Sequence, residues 1–120
     1  MTKTQAHNIR KWSYALRSGK YKQARGSLRV NLEGGGCGYC CLGVACEVLG
    51  VRMDGAAYLP IKAAEALFSD NNRERNDPYL SVNGTPVLAS WLNDGPANCE
   101  PLNFKRIAAA IKMTYKEAWN

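Results

Sequence analysis

The sequence predicts one α+β domain, mostly helical, with five helices and one small two-stranded β element. Three observations predict it. Apolar residues recur at helical spacing in five separate segments, and one alternating run before Asn83-Gly84 marks a hairpin. The chain of 120 residues, 46% of them hydrophobic, is enough for a single core and shows neither linker nor internal repeat, so the domain is expected to span residues 1–120.

Residues 6–17 place Ile9, Trp12 and Leu16 three and four apart, while Arg10, Lys11, Tyr14 and Arg17 point elsewhere, as in an amphipathic helix. Ser18-Gly19 ends it, because glycine supplies the left-handed conformation of helix C-termini. Lys20 to Gly26 is polar and basic and reads as a loop, followed by a short strand at Ser27 to Val30. Gly34-Gly35-Gly36-Cys37-Gly38 loses too much backbone freedom on ordering to hold regular structure and reads as a turn or mobile loop.

From Tyr39 to Leu49 the chain is nearly all apolar, which predicts a helix buried on most sides at the centre of the core. Residues 51–60 look irregular, and Pro60 suits the first turn of a helix that directs Ile61, Ala64, Leu67 and Phe68 inward. Ser69 to Asp77 reads as a polar loop. Tyr79 to Val82 alternates as a strand and meets the Asn83-Gly84 turn. Thr85-Pro86 has the form of an N-cap and first-turn proline, predicting a helix that buries Leu88, Trp91 and Leu92 and stops at Asn93-Asp94-Gly95. A last helix from about Asn103 presents Phe104, Ile107, Ala108, Ile111 and Tyr115 on one face.

No apolar run approaches the length of a membrane span and no apolar signal region follows Met1, so the expectation is a cytoplasmic protein that does not engage a membrane. Five cysteines, an odd number, four of them crowded between Cys37 and Cys46, are expected to be reduced thiols. The net charge of +6 is concentrated: residues 1–30 hold Lys3, Arg10, Lys11, Arg17, Lys20, Lys22, Arg25 and Arg29 with no acidic residue. Such a field attracts nucleic acids, nucleotides or phosphates, or else belongs to a solvated basic face.

Cys40 or Cys41, after a glycine-rich loop and at a helix start, is where a thiolate nucleophile would be stabilised. The sequence offers it no base, since His7 is the only histidine. Cys37 and Cys40 have zinc-knuckle spacing, but Cys41 and Cys46 do not repeat it, so no metal is expected. The glycine run lacks the Gly-Lys-Ser/Thr of a phosphate loop, and no cofactor is expected either. The basic segment is more informative. Arg17, Lys20, Arg25 and Arg29 alternate with Tyr14 and Tyr21, giving phosphate forks beside stacking surfaces, and Gln23 and Asn31 can read base edges. With Tyr39, the candidate ligand-binding residues are Arg17, Lys20, Tyr21, Gln23, Arg25, Arg29 and Tyr39, and none is assigned a catalytic role.

The order Trp12-Ser-Tyr-Ala-Leu-Arg-Ser-Gly-Lys-Tyr21, Gln23, Gly26, Leu28, Tyr39-Cys-Cys-Leu-Gly-Val44, Leu59-Pro60, Asp77-Pro78, Leu92-Asn-Asp94 and Phe104-Lys-Arg-Ile-Ala108 resembles a widespread family of small bacteriophage accessory proteins. It departs from that pattern in the Gly34-Gly35-Gly36 insert and in Pro96 to Pro101. The resemblance implies a phage protein acting in the bacterial host cytoplasm. By analogy it implies a host-defence antagonist, an anti-CBASS-type sponge that sequesters a nucleotide immune signal such as a cyclic oligonucleotide without chemistry. A single small domain seldom encloses a dinucleotide, so a homo-oligomer, dimer or tetramer, is expected. The alternative is an accessory protein that binds nucleic acid or a host protein through the basic segment. A long polyanion suits a local patch beside an acidic remainder less well than a compact nucleotide, and no DNA- or RNA-reading motif is present.

Overall fold

The computed structural model describes residues 1–96 and 99–120. Helix α1 (Lys3–Arg17) opens on a capping box in which Thr2 and Gln5 exchange backbone-to-side-chain hydrogen bonds of 2.9 and 3.0 Å. It buries Ile9, Trp12 and Leu16, the stripe that the spacing predicts. Strands β1 (Lys22–Gln23), β2 (Arg29–Asn31) and β3 (Cys37–Tyr39) form a sheet in the order β1-β3-β2, with β3 parallel to β1 and antiparallel to β2. Helix α2 (Cys41–Leu49) follows, then α3 (Ile61–Leu67). A second sheet, β4 (Arg73–Glu74), β5 (Asp77–Val82) and β6 (Thr85–Leu88), is antiparallel and in chain order. Helices α4 (Ala89–Asp94) and α5 (Phe104–Thr114) and a terminal 3-10 turn (Lys116–Trp119) complete the described chain.

α1 packs against α5, α2 and α3, while α5 and α4 lie on β5. The tail face is as predicted: Phe104, Ile107, Ala108, Ile111 and Tyr115 are all buried. No helix among the described residues is long and apolar enough to cross a membrane.

Among the described residues the α+β class and the five α-helices match the expectation, but two three-stranded sheets replace the single two-stranded element. Two of the added strands are pairs of residues, Lys22–Gln23 and Arg73–Glu74, lying in segments read as loops. Thr85-Pro86 begins a strand, not a helix, because the Asn83-Gly84 turn, with φ of 51° and 80°, pairs Val82 with Thr85 and carries the ladder on to Leu88. Pro86 is tolerated there since β6 is an edge strand. The helix therefore starts three residues later than predicted, and Trp91 comes out 52% exposed instead of buried. Ile61 is likewise 54% exposed, while Ala63, Ala64 and Leu67 of the same helix are buried. The Pro96–Pro101 departure includes residues 97 and 98, which lie outside the described residues.

Candidate functional site

The Tyr-Cys-Cys-Leu-Gly-Val segment is the structural hub. Tyr39 lies in the middle strand of the first sheet, not at the start of the helix, with Gln23 and Arg29 as its cross-strand partners. Cys40 is the N-cap of α2, its sulfur accepting from the Gly43 N–H at 3.4 Å. The Cys41 peptide is held on three sides: its N–H donates to Asn93 Oδ1 at 3.1 Å, its carbonyl accepts from Trp12 Nε1 at 2.8 Å, and its thiol faces the Ala89 carbonyl at 3.5 Å. Burial pushes Cys40 and Cys46 up to about 11 and Cys41 well above its ordinary value, so these thiols stay protonated and weakly nucleophilic. Among the described residues no group of three or more His, Cys, Asp or Glu side chains is placed to hold a metal ion.

Asn93, fully buried, joins this hub to the rest of the fold. Its Oδ1 also accepts from Gln23 Nε2 at 3.0 Å, and its Nδ2 donates to the Ala24 carbonyl at 2.8 Å and to Asp94 Oδ1 at 2.9 Å. Asp94 in turn accepts from the Gly26 N–H at 3.1 Å.

The seven candidate binding residues fall in four places. Tyr21 and Tyr39 meet edge to face at 5.6 Å, with Lys20 Nζ 5.5 Å from the Tyr21 ring and Arg29 opposite Tyr39 across β2 and β3. Arg29 turns its guanidinium to Cys37 Sγ, 3.2 Å from both Nε and Nη2, and this contact raises its pKa. Burial raises that of Tyr39, with Glu47 adding to it. Gln23 commits its amide nitrogen to Asn93 and to the Leu102 carbonyl, so it serves packing before any base edge. Arg17 stands at the end of α1 against the Tyr14 ring at 5.1 Å. Arg25 is exposed and precedes Gly26, which lines a cleft on another part of the surface.

That cleft, about 780 Å³, lies between the segment before α3, the β4–β5 hairpin, β6 and α4. Tyr58 and Trp91, each 52% exposed, stand in its wall with Tyr79, Arg75, Asp77 and Asp94. The volume is in the range that encloses a drug-sized organic ligand. Arg75 and Asn76 form the two-residue turn between β4 and β5 at φ of 52° and 65°, a conformation that costs a residue other than glycine about 1 kcal/mol or more. The turn sets the Arg75 guanidinium 5.1 Å from the Tyr58 ring, with Nη1 donating to the Tyr58 hydroxyl at 2.6 Å. Tyr79 donates its hydroxyl to Glu74 at 2.9 Å.

Asp77, only 7% exposed, accepts from the Ser90 N–H at 3.2 Å and from the Ser90 hydroxyl. Burial pushes its carboxyl up to about 6, the Ser90 hydrogen bonds work against this, and the charge of Asp94 adds to it. An acid whose pKa is raised on folding stabilises the fold only where it is protonated. The contribution is complete below the unfolded value of about 4 and is lost as the pH rises through about 6. Asp77→Asn is therefore expected to stabilise the protein at neutral pH by about 2 to 3 kcal/mol and to have little effect below about pH 4. Denaturant titrations at the two pH values measure this, and an equal effect at both would contradict it.

None of the cleft's aromatic residues is legible as a site in the sequence. Tyr58 falls in an irregular segment and carries no pattern, Trp91 has the spacing of a core residue, and Arg75-Asn76 lacks the glycine that usually announces such a turn. The two carboxylates Asp77 and Asp94 do belong to quoted matches, Asp77-Pro78 and Leu92-Asn-Asp94.

Fold and cleft together define an α+β domain with a ligand-sized pocket walled by aromatic rings and carboxylates. Over residues 5–74, more than half of the chain, it matches the model of a family described as a domain of unknown function, DUF8296, and it belongs to that family. The match runs from within α1 to β4 and so includes the Tyr-Cys-Cys-Leu-Gly-Val segment, while Asp77, Ser90, Trp91 and Asn93 lie beyond it. No curated protein and no solved structure matches the chain.

Proposed function

We propose that the protein binds a small nucleotide in the cleft and holds it without chemistry, as a phage-encoded antagonist that sequesters a nucleotide signal of host defence. The observation that carries this reading is a cleft of about 780 Å³ with the Trp91 and Tyr58 rings half exposed in its wall and the basic segment reaching it at Arg25-Gly26. A flat base gains stacking area on such rings. The carboxylates inside repel phosphate, so the phosphates lie at the rim, toward Arg25 and Arg75. The thiol in the described lining, Cys99, donates to the Trp91 carbonyl at 3.7 Å, and the histidine on α1 lies away from the cleft, which favours retention over turnover. A second copy closing over the cleft would give the dimer or tetramer expected for a sponge.

Calorimetric titration with mononucleotides and cyclic dinucleotides tests the reading. Trp91→Ala is expected to weaken binding by about tenfold or more, since stacking on an aromatic ring is worth about 1 to 3 kcal/mol per base. The ligand should be recovered unchanged after the protein is denatured. If no nucleotide binds, while short DNA or RNA binds with a steep salt dependence and is insensitive to Trp91→Ala, the basic segment is a nucleic-acid surface and the nucleotide reading fails.

A further inference from the structure

The side chains lining the cleft are unequal in what they leave free. Two hydroxyl donors are committed, Ser90 to Asp77 and Tyr79 to Glu74, and Arg75 gives one of its five N–H groups to Tyr58. The acceptors are not exhausted. Asp77 receives Ser90 through both its N–H and its hydroxyl, which leaves lone pairs unused on a carboxylate offering about four sites. Asp94 takes the Gly26 N–H and Asn93 Nδ2 on Oδ1 alone, and among the described residues nothing donates to its Oδ2. What turns these carboxylates into a recognition edge is the cavity they line and the half-exposed Trp91 and Tyr58 rings in the same wall. The rings ask for a flat ligand, and the carboxylates ask for adjacent N–H donors in its plane.

Resting on the nucleotide reading of the cleft, we propose that it selects guanine, whose ring N–H and exocyclic amine are received by the carboxylates of Asp77 and Asp94. Of the common bases guanine alone presents two adjacent donor groups on its pairing edge. Adenine and cytosine set their amine beside a ring acceptor, and uracil flanks its single N–H with two carbonyls. In each of these a lone pair would face a carboxylate inside a cleft partly shielded from water, which is unfavourable.

The test is calorimetry of the full chain with guanosine, inosine, xanthosine and adenosine 5′-monophosphates. Inosine monophosphate lacks only the exocyclic amine and is expected to bind about ten- to a hundredfold more weakly than guanosine monophosphate. Xanthosine monophosphate replaces the amine with an acceptor and is expected to bind more weakly still, as is adenosine monophosphate. Asp77→Asn, which replaces an acceptor oxygen with a donor, is expected to shrink the guanosine-to-inosine ratio. If adenosine or xanthosine monophosphate matches guanosine monophosphate, while Trp91→Ala still weakens binding, the guanine assignment falls and the cleft remains a nucleotide site. If none of the four binds, the guanine assignment is overturned, and the nucleotide reading falls with it when cyclic dinucleotides also fail.

Discussion

Gly43→Ala is expected to destabilise the protein by at least about 3 kcal/mol, the reverse of what helix propensity alone predicts. Gly43 lies within α2, where exchanging glycine for alanine ordinarily gains about 1 kcal/mol. A Cβ at this position would sit 1.8 Å from the Leu28 carbonyl oxygen and 2.7 Å from its carbon, both backbone atoms that no rotamer change can move. The same carbonyl accepts the Cys40 N–H at 3.2 Å, so displacing it breaks the contact between the start of α2 and the segment entering β2. Urea denaturation of the variant measures the effect. A stability equal to or above that of the parent would mean that the close approach of α2 to Leu28 is not part of the fold.

Asn93→Ala is expected to cost about 3 to 5 kcal/mol, because truncation strands several buried polar groups at once. The Cys41 N–H and the Ala24 carbonyl lose their partners, Gln23 keeps only Leu102, and Asp94 loses the amide that positions it beside Gly26. Three elements, β1, α2 and α4, are tied through this one side chain. Gln23→Ala removes one strand of the knot and should cost less. Equilibrium unfolding of the two variants compares them, and a loss below about 1 kcal/mol for Asn93→Ala would contradict the hub.

Where local pattern and tertiary packing agree, the sequence is readable. The Ile9-Trp12-Leu16 stripe, the apolar run of α2 and the Phe104-Ile107-Ile111 face all lie where their periodicity puts them. The strands are less readable because Lys22–Gln23 and Arg73–Glu74 are too short to alternate, and their pairing is set by β3 and β5 instead. Two signals competed at Thr85-Pro86, a helix N-terminus and the strand after an Asn-Gly turn, and the hairpin prevailed because its ladder fixes Thr85 to Leu88 opposite Tyr79 to Val82. That outcome moved Trp91 from the core into the wall of the cleft. The basic residues of the first thirty are exposed, except the half-buried Arg10, as a charge-rich segment should be, but where Lys22 and Arg29 fall in the first sheet depends on register, which composition does not carry.

The reading rests most directly on where a bound nucleotide lies, and nitrogen–proton correlation spectra during a titration with guanosine monophosphate locate it. Trp12, Trp91 and Trp119 give three separate indole signals. Binding in the cleft predicts that the Trp91 indole moves together with the Tyr79 and Ser90 amides, while the Trp12 indole, fixed to the Cys41 carbonyl, stays in place. Shifts centred on Tyr21, Arg29 and Tyr39, with Trp91 unmoved, would put the ligand on the first sheet and contradict the assignment of the cleft.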